Sequence, residues 1–544
     1  MSLVRRATSQ VELRVHHAGR LVRAVLFNSY QFLFLFFPAA LVLHAVADRI
    51  GERTRIAAIL AVSLVFYGVW DVRFLALLAT SILVNFGIGC ALEQAVKRQQ
   101  SVNADWVLCA GVACNLIVLG YFKYARFLVV NFDAATGANL TLDAIILPLG
   151  ISFFTFEQIG YLADVRRGHL YHADLLRYAL FVSFFPRLVA GPILRYSEIL
   201  PQLTTSTRRG PADSDIAVGL TIFAIGLCKK ALLADGIASY ANPVFAVAAS
   251  GKPLDAFAAW SGALAYTFQL YFDFSGYSDM AIGAARCFGI RFPANFNSPY
   301  KATSMIEFWR CWHMTLSRFL RDYLYIPLGG NRRGPTRRYV NLMLTMLLGG
   351  LWHGANWTFI AWGGLHGLYL MVNHGWSAAT QGIRTEFPIS IRRLSTGVTW
   401  LLTFLGVVIA WVFFRSPTFH GAVVILSGMA GLSGATLPEA LAPALVHVRP
   451  LLRVIGVQFG AGSGSQFIWS WAWILALGCI ALALPNTQQL LGRFDPVLDM
   501  RQLARPPRWL VWTPSPAWAV ATGTVAFLGV MSITRVSEFL YWQF

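Results

Sequence analysis

Long apolar runs separated by short polar or basic segments recur along the whole chain. They cover residues 32–46, 56–70, 74–92, 106–121, 216–233, 256–290, 357–371, 396–414, 467–484 and 517–533. Many of these runs come close to the roughly 20 residues that an α-helix needs to cross the hydrocarbon core of a bilayer. Together with the less regular runs, the pattern predicts an all-α polytopic membrane protein with about 11 to 13 spans.

Two apolar runs contain residues that interrupt a helix. Pro148 and Gly150 lie in the first run, and Pro186, Gly191 and Pro192 lie in the second. Proline removes a backbone donor and kinks a helix. In a bilayer, the carbonyl groups freed by a kink need protein or water as partners. We therefore predict a helical bundle with kinked or re-entrant helices around a central tunnel.

Residues 304–357 begin with an amphipathic pattern. Ser304 and Glu307 have the spacing of a capping box, which predicts a helix start. Apolar residues then recur in steps of three and four, whereas Glu307, Arg310 and His313 fall on the opposite face. Such a helix lies at a membrane surface or borders an aqueous cavity, so we expect His313 on a water-exposed face. A solvated surface histidine is the alternative.

The second half of this stretch is apolar and ends at a histidine. No charged residue occurs from Tyr339 to Trp352, and the preceding loop, with its four arginines, is expected on the cytosolic side. His353 lies about 20 Å further along a helix, deep in a hydrocarbon layer about 30 Å thick. An ionisable group at that depth must face a cavity or a polar partner. A histidine bonded to a neighbouring helix is the alternative to a functional one.

Composition and charge narrow the class of protein. Of the 544 residues, 56% are hydrophobic and 13% are charged, which is typical of a membrane protein. The net charge of +19 fits arginine-rich cytosolic loops at the lipid bilayer surface, so we infer no nucleic-acid partner. Basic residues at the cytosolic opening of the protein would also attract an anionic acyl donor. The seven cysteines include no CxxC pair, so we predict no metal site and no disulfide framework.

Two acidic residues lie within one apolar run, in the string DFSGYSD. Asp273 and Asp279 are six residues apart, a spacing that does not place them on one helix face. We therefore favour a structural role, in which one of them pairs with a buried arginine or histidine, over a metal or acid–base role. In the preceding apolar run, residues 216–233, Lys229 and Lys230 are expected to reach towards an interface.

The chain divides into a basic arm, residues 1–25, and a single membrane domain, residues 26–544, with its core motifs at 304–366. The arm has no long apolar core, so it is not a secretory signal. Val25 directly precedes the string LFNSYQF, and a valine codon can serve as an alternative start. Our hypothesis is that translation begins at Val25. A short arm that binds headgroups is the alternative.

Several strings resemble the membrane-bound O-acyltransferase family. They include EFWRCWHMTLSRFLRDYLYIPLGGNRRG, LLGGLWHGANWTFIAWGGLHG and YFDFSGYSDMAIGAARCFGIRFPANFNSPY. The resemblance runs from about residue 26 onward and is strongest to the bacterial branch that contains the membrane subunit of alginate O-acetylation. The related D-alanyl transferases of teichoic acids share the tryptophan–histidine motif. The string PLGGNR at 327–332 favours the acetyl-transferring branch.

The resemblance implies a function. Members of this branch take acetyl groups from cytosolic acetyl-CoA, without a bound cofactor, and pass them across the bacterial inner membrane. The final acceptor is an extracytoplasmic polysaccharide, such as alginate, and a periplasmic acetyltransferase is the expected partner.

Acyl transfer to a hydroxyl needs a base for the attacking alcohol and a donor for the oxyanion. A neutral imidazole, with an unperturbed pKa of about 6.5, suits this role near pH 7. We predict His353 as the base and His313 as the group that orients the alcohol or stabilises the oxyanion, provided that their rings converge. The side chains expected to line the site or tunnel are Trp309, Arg310, Trp352, Asn356, Asp273 and Asp279.

Two other functions remain open from the sequence. A proton-coupled transporter or channel would also use kinked helices and a deep histidine. Against it, we find no inverted repeat, and the polar residues concentrate at 304–366. A non-catalytic membrane scaffold of a polysaccharide-modification complex is the second alternative.

The start hypothesis predicts the mature N-terminus. Mass spectrometry of the protein from its native host is expected to find peptides beginning at position 25 and none from residues 1–24. Peptides from within residues 1–24 would contradict the hypothesis.

Overall fold

The computed structural model describes residues 26–169, 174–204, 213–380, 389–498 and 510–533, without the side chains of 389–392. The basic arm therefore lies outside the described residues. The α-helices of the described chain are α1 (Phe37–Ile50), α2 (Glu52–Trp70), α3 (Val72–Lys97), α4 (Ser101–Leu119), α5 (Ala125–Thr136), α6 (Ile151–Arg166), α7 (Leu175–Ser183), α8 (Phe185–Leu188), α9 (Tyr196–Thr204), α10 (Asp213–Cys228), α11 (Asp235–Ala249), α12 (Ala256–Cys287), α13 (Met305–Cys311), α14 (Met314–Leu320), α15 (Gly334–His353), α16 (Trp357–Ala379), α17 (Ile389–Arg415), α18 (Phe419–Met429), α19 (Arg449–Val454), α20 (Gly464–Ala483), α21 (Thr487–Leu490) and α22 (Pro516–Met531).

Shorter elements complete the described chain. The π-helical turns are Phe32–Phe36, Gly120–Tyr124, Lys229–Ala234 and Arg321–Tyr325, and the 3₁₀ turns are Pro299–Lys301, Glu439–Leu441 and Gly492–Phe494. Two strands, β1 (Ala435–Pro438) and β2 (Val457–Gly460), pair in parallel, with Ala435 opposite Val457.

Seven helical segments of the described residues are long and apolar enough to cross a membrane. They are Phe32–Ile50, Glu52–Trp70, Val72–Lys97, Ser101–Thr136, Asp213–Ala249, Arg393–Arg415 and Gly464–Ala483. The prediction of an all-α, multi-pass membrane protein is thus confirmed. The number of spans and the central tunnel stay predictions.

The described chain forms two compact units. The first comprises the described residues up to Phe122, together with Ala144–Phe223 and Met280–Phe292. The second comprises Lys123–Asp143, Ala224–Asp279 and the described residues from Pro293 onward. Both histidines of the proposed site belong to the second unit.

The two interruptions predicted by proline and glycine occur in the first unit. Residues 148–150 form a turn ahead of α6, where Gly150 adopts φ +70°. A Cβ atom at Gly150 would lie 2.1 Å from the carbonyl oxygen of Leu188, so only glycine fits. The second interruption follows Ser183, where the chain makes the single turn of α8 and then has no helical structure until Tyr196.

A buried ion pair compensates for the second interruption. The Glu157 carboxylate contacts the Arg187 guanidinium, and both side chains are almost fully buried. Glu157 Oε1 also accepts a hydrogen bond of 3.1 Å from the backbone N–H of Leu194, beyond the end of α8. The protein itself therefore supplies a partner for a donor that a continuous helix would have satisfied.

The acidic residues of α12 pair with lysines, so the prediction of an arginine or histidine partner was wrong. Lys230 Nζ lies 2.5 Å from Asp273 and 2.8 Å from Asp235, and its side chain is only 2% exposed. Lys229 Nζ lies 2.7 Å from Asp279. The prediction that Lys230 reaches an interface was also wrong, because two carboxylates inside the protein provide its partners.

Asp279 has further polar partners. Its carboxylate accepts hydrogen bonds from Thr487 Oγ1 at 2.7 Å and from Gln488 Nε2 at 2.8 Å. Both aspartates thus have polar partners on other elements, and the structural role favoured from their spacing stays a prediction.

The pair between Asp215 and Arg286, 2.7 Å apart and almost fully buried, tests how far buried charge stabilises the first unit. Arg286→Met leaves the carboxylate buried without this cation, and we expect a loss of about 3–5 kcal/mol of unfolding free energy. The double variant Asp215→Leu/Arg286→Met should recover most of that loss. Thermal unfolding in detergent measures both.

Arg73→Met is the matched control, because it removes an arginine that pairs with Asp71 at 2.7 Å on the exposed surface. Its melting temperature should stay close to that of the unchanged protein. A double variant no more stable than Arg286→Met alone would contradict the prediction.

Candidate active site

The predicted amphipathic helix is two helices, with His313 at the junction. α13 ends at Cys311, Trp312 is extended, and His313 adopts a left-handed conformation with φ 42° and ψ 52°. The prediction of a water-exposed His313 was wrong, because the imidazole is 0% exposed. The junction contains no proline or glycine, and the apolar stripe continues across it, so the pattern gave no sign of a break. Histidine is among the residues that tolerate this conformation.

The predicted helix start is correct, although the capping box is incomplete. Ser304 Oγ accepts a hydrogen bond of 3.2 Å from the N–H of Glu307. The Glu307 carboxylate accepts from the N–H of Thr303 at 2.8 Å, one residue before the position that a capping box uses.

Residues 295–297, which lie outside the core motifs predicted at 304–366, form backbone hydrogen bonds with this junction. The N–H of Met314 donates to the carbonyl oxygen of Asn295, and the N–H of Asn297 donates to that of Cys311, both at 2.9 Å. These bonds satisfy backbone groups that the broken helix leaves open.

The Asn295 side chain fixes the His313 ring. Its Oδ1 lies 3.0 Å from His313 Nδ1 and accepts from Thr315 Oγ1 at 2.9 Å, while its Nδ2 donates to Ser278 Oγ at 3.1 Å. The N–H of Thr315 also donates to Oδ1, which identifies that atom as the oxygen. Because an amide oxygen only accepts, the proton of a neutral His313 ring lies on Nδ1, and Nε2 carries the lone pair.

Glycines bring α15 and α16 into close contact beside His353. A Cβ atom at Gly350 would lie 2.3 Å from the carbonyl oxygen of Phe359, and one at Gly363 would lie 2.3 Å from that of Met346. Small residues at such positions let two membrane helices approach closely. The glycines before His353 therefore serve helix packing.

The C-terminal end of α15 is capped by a segment far away in sequence. Lys123 Nζ donates to the carbonyl oxygen of Trp352, and Tyr124 Oη donates to that of Leu351 at 2.9 Å. Hydrogen-bond donors are favourable there because the last carbonyl groups of a helix have no partner within the helix. These two bonds fix the helix end that presents His353.

The two histidine rings converge in an aromatic enclosure. Their centroids are 6.3 Å apart, well inside the limit of about 10 Å for joint action through one water molecule. His353 is 4% exposed and packs against Trp352, Trp362 and Phe414, with centroids 4.9, 5.1 and 5.2 Å away. Electrostatic interactions in such an enclosure are stronger than in water.

Of the other residues predicted to line the site, Trp352 lies beside the histidines, and Arg310, Asn356 and the two aspartates have other surroundings. Trp352 lies beside both histidines, at 4.9 and 6.2 Å, whereas Arg310 is exposed on α13. Asn356 caps α16 by accepting from Thr358 N–H at 3.1 Å, and it donates to the carbonyl oxygen of Pro417 at 3.0 Å. Asp273 and Asp279 belong to the lysine pairs described above.

Trp309 lines a mainly apolar pocket of about 180 Å³. Its other lining residues are Ser317, Leu320, Arg321, Tyr325, Leu342, Thr345, Met346 and Leu370. The pocket is large enough for part of an elongated ligand. Among the residues that the structure describes, no group of three or more His, Cys, Asp or Glu side chains is arranged to hold a metal ion.

Comparison with known proteins identifies the family of the chain. Residues 59–414 match the family model described as MBOAT, membrane-bound O-acyltransferase family. The chain belongs to the membrane-bound O-acyltransferase family. It is therefore an acyltransferase as well as a multi-pass membrane protein.

Named relatives cover most of this membrane-bound O-acyltransferase. The chain is 41% identical over 444 residues to "Peptidoglycan O-acetyltransferase" of Helicobacter pylori, covering 76% of this chain and 82% of the relative. It is 45% identical over 407 residues to "Probable alginate O-acetylase AlgI" of Pseudomonas aeruginosa, covering 73% of each. A "Teichoic acid D-alanyltransferase" of Streptococcus thermophilus is 28% identical over 291 residues, covering 49% of this chain and 68% of the relative.

Sequence reasoning missed the groups that position the histidines. Asn295, Ser278 and Lys123 lie on other elements, and no spacing along the chain connects them to His313 or His353. The string ANFNSP, with two asparagines before a proline, marks a loop with polar side chains, which is the available signal for Asn295.

The contact between Asn295 and His313 predicts a kinetic effect. Asn295→Leu removes the acceptor for Nδ1–H, and we expect acyl transfer to slow by about 10- to 100-fold, the value of a strong buried hydrogen bond. The purified enzyme's rate of transfer measures this. In a His313→Ala background the same change should add little, since both substitutions remove one function.

Asn297→Leu is the control, because Asn297 Oδ1 accepts from Asn486 rather than from His313. Its rate should stay within a few-fold of the unchanged enzyme. Fully additive effects of Asn295→Leu and His313→Ala would contradict the positioning role.

Proposed function

We propose that this enzyme transfers acetyl groups from cytosolic acetyl-CoA for the O-acetylation of an extracytoplasmic polysaccharide. The observation that carries the proposal is the pair of buried imidazoles, 6.3 Å apart, in a membrane-bound O-acyltransferase. The relatives named for alginate and peptidoglycan O-acetylation support a polysaccharide acceptor. By the same resemblance, we propose that the enzyme lies in the bacterial inner membrane and acts through a periplasmic acetyltransferase partner.

In this proposal His353 is the general base. It takes the proton of the acceptor hydroxyl while the oxygen attacks the thioester carbonyl carbon and forms a tetrahedral intermediate. When the intermediate collapses, the carbon–sulfur bond breaks, and the His353 imidazolium returns the proton to the leaving thiolate. The acetyl ester and the free thiol are the products, so His353 ends the cycle neutral.

His313 orients the acceptor. Because Asn295 keeps the proton on Nδ1, Nε2 of the neutral ring is a hydrogen-bond acceptor, which suits a donor group of the acceptor substrate next to the attacking hydroxyl. The tautomer favours this role over oxyanion stabilisation, which would require a proton on Nε2.

The pocket beside Trp309 supports an elongated anionic donor. Arg321 is an exposed residue of its lining, and four further arginines follow in the chain, two just before α15 and two in its first turns. Positive charge at a cleft entrance raises the local concentration of an anion such as acetyl-CoA. The lining residues Ser317 and Thr345 offer hydroxyl groups to a ligand's polar atoms.

His353→Ala separates the proposed enzyme from its alternatives. With labelled acetyl-CoA and the purified protein in proteoliposomes, we expect label transfer to the acceptor to fall by about 100- to 10,000-fold, the usual contribution of a general base. His420→Ala, which changes an exposed histidine at the start of α18, should transfer label at the normal rate.

Two outcomes would contradict the proposal. Movement of labelled substrate across the vesicle without covalent transfer would indicate a carrier. Unchanged polymer acetylation by His353→Ala in cells would indicate a scaffold.

A further inference from the structure

A third histidine lies beside the proposed site and is used by none of the steps above. His366 on α16 is 0% exposed and is surrounded by aromatic rings. It stacks on Phe308 with an interplanar angle of 7°, and the indoles of Trp309 and Trp362 meet its ring edge-on, with centroids 5.1 and 4.9 Å away.

The polar atoms of this cluster have no hydrogen-bond partner. Within the part of the chain that the structure describes, this holds for Nδ1 and Nε2 of His366 and for the indole Nε1 atoms of Trp309 and Trp362, all four of them buried. Buried polar groups are costly unless they are paired, and most side-chain polar atoms in protein interiors have a partner. Four such atoms in three adjoining rings indicate that a polar group binds there.

The cluster connects the pocket to the proposed base. Trp309 lines the pocket of about 180 Å³ on one side and contacts His366 on the other. Trp362 contacts His366 and also contacts His353, with centroids 5.1 Å apart. The three rings therefore form a continuous series of contacts from a residue of the pocket lining to the proposed base.

The hydrogen-bonding pattern of the cluster fits an amide. A neutral imidazole offers one donor and one acceptor, and each indole offers one donor. An amide carbonyl can accept from the indoles, and an amide N–H can donate to the imidazole. Phosphate or sulfate would fit less well, because neither provides the N–H group that the acceptor nitrogen needs.

We propose that His366, Trp309 and Trp362 form a subsite that binds an amide of the acyl donor's thioester arm and so sets the position of the thioester relative to His353. This rests on the proposed function, in which the donor is a coenzyme A thioester, whose arm carries amide groups, the nearer one separated from the sulfur by two methylene groups. His366 is then a residue that binds the acyl donor.

Two small thioesters test the subsite directly. S-acetyl-N-acetylcysteamine carries an amide at the position found in the coenzyme A arm, and S-pentyl thioacetate has a chain of the same length without it. With the full-length enzyme in detergent and an acceptor present, thiol release gives kcat/KM for each. We expect the enzyme to favour the amide thioester by about tenfold, as one hydrogen bond allows.

The variants then assign that preference. His366→Phe keeps an aromatic ring but no polar atoms. It should make kcat/KM about equal for the two thioesters. His366→Gln keeps a donor and an acceptor and should retain most of it. His374→Phe, a histidine further along the same helix, is the matched control and should leave the preference unchanged.

Each other result has a defined meaning. If His366→Phe lowers kcat/KM equally for both thioesters, the cluster holds only a buried water or supports packing, and the proposal is wrong. A full preference retained in His366→Phe would also overturn it. Absence of acetyl transfer from every thioester, acetyl-CoA included, in the unchanged enzyme would refute the proposed function itself.

Discussion

The hydrogen bond between Asn295 and His313 is the constraint on which the site depends. It fixes the tautomer of a buried imidazole at a break between two helices, and the backbone bonds of the same segment make that break possible. In a continuous helix, His313 would share the polar face of Glu307 and Arg310, both of which are exposed. The burial of His313 therefore depends on a local departure from regular structure, and polar groups of a neighbouring segment provide its backbone with hydrogen-bond partners.

Other buried charges and unpaired backbone groups in the apolar interior also need polar partners. Glu157 serves both Arg187 and a backbone donor beyond α8, and Lys230 lies between two carboxylates. Lys123 donates a hydrogen bond to a backbone carbonyl oxygen at the end of α15. Each cation offsets groups that lipid could not solvate. The His366 cluster differs, because its polar atoms lack such partners in the described chain.

Much of the fold could be predicted from the sequence, because long apolar runs and interrupting prolines act locally. The helix after Gly150, the break after Ser183 and the start at Ser304 follow from such signals. The candidate site was less predictable. The catalytic roles of His313 and His353 stay predictions, and the burial of His313 depends on Asn295 and on the Phe274 ring 4.7 Å away. These contacts join separate segments, so no periodicity along the chain reports them.

The wall of the enclosure has a consequence for biogenesis. Phe414, which packs on His353, comes from α17, about sixty residues later in the chain, whereas Lys123 comes from more than two hundred residues earlier. During synthesis, Lys123 is therefore made before the histidine helix α15, and Phe414 is made after it. Until α17 is made, the His353 ring lacks one side of the aromatic enclosure that surrounds it in the folded protein, so the enclosure is completed only late in synthesis.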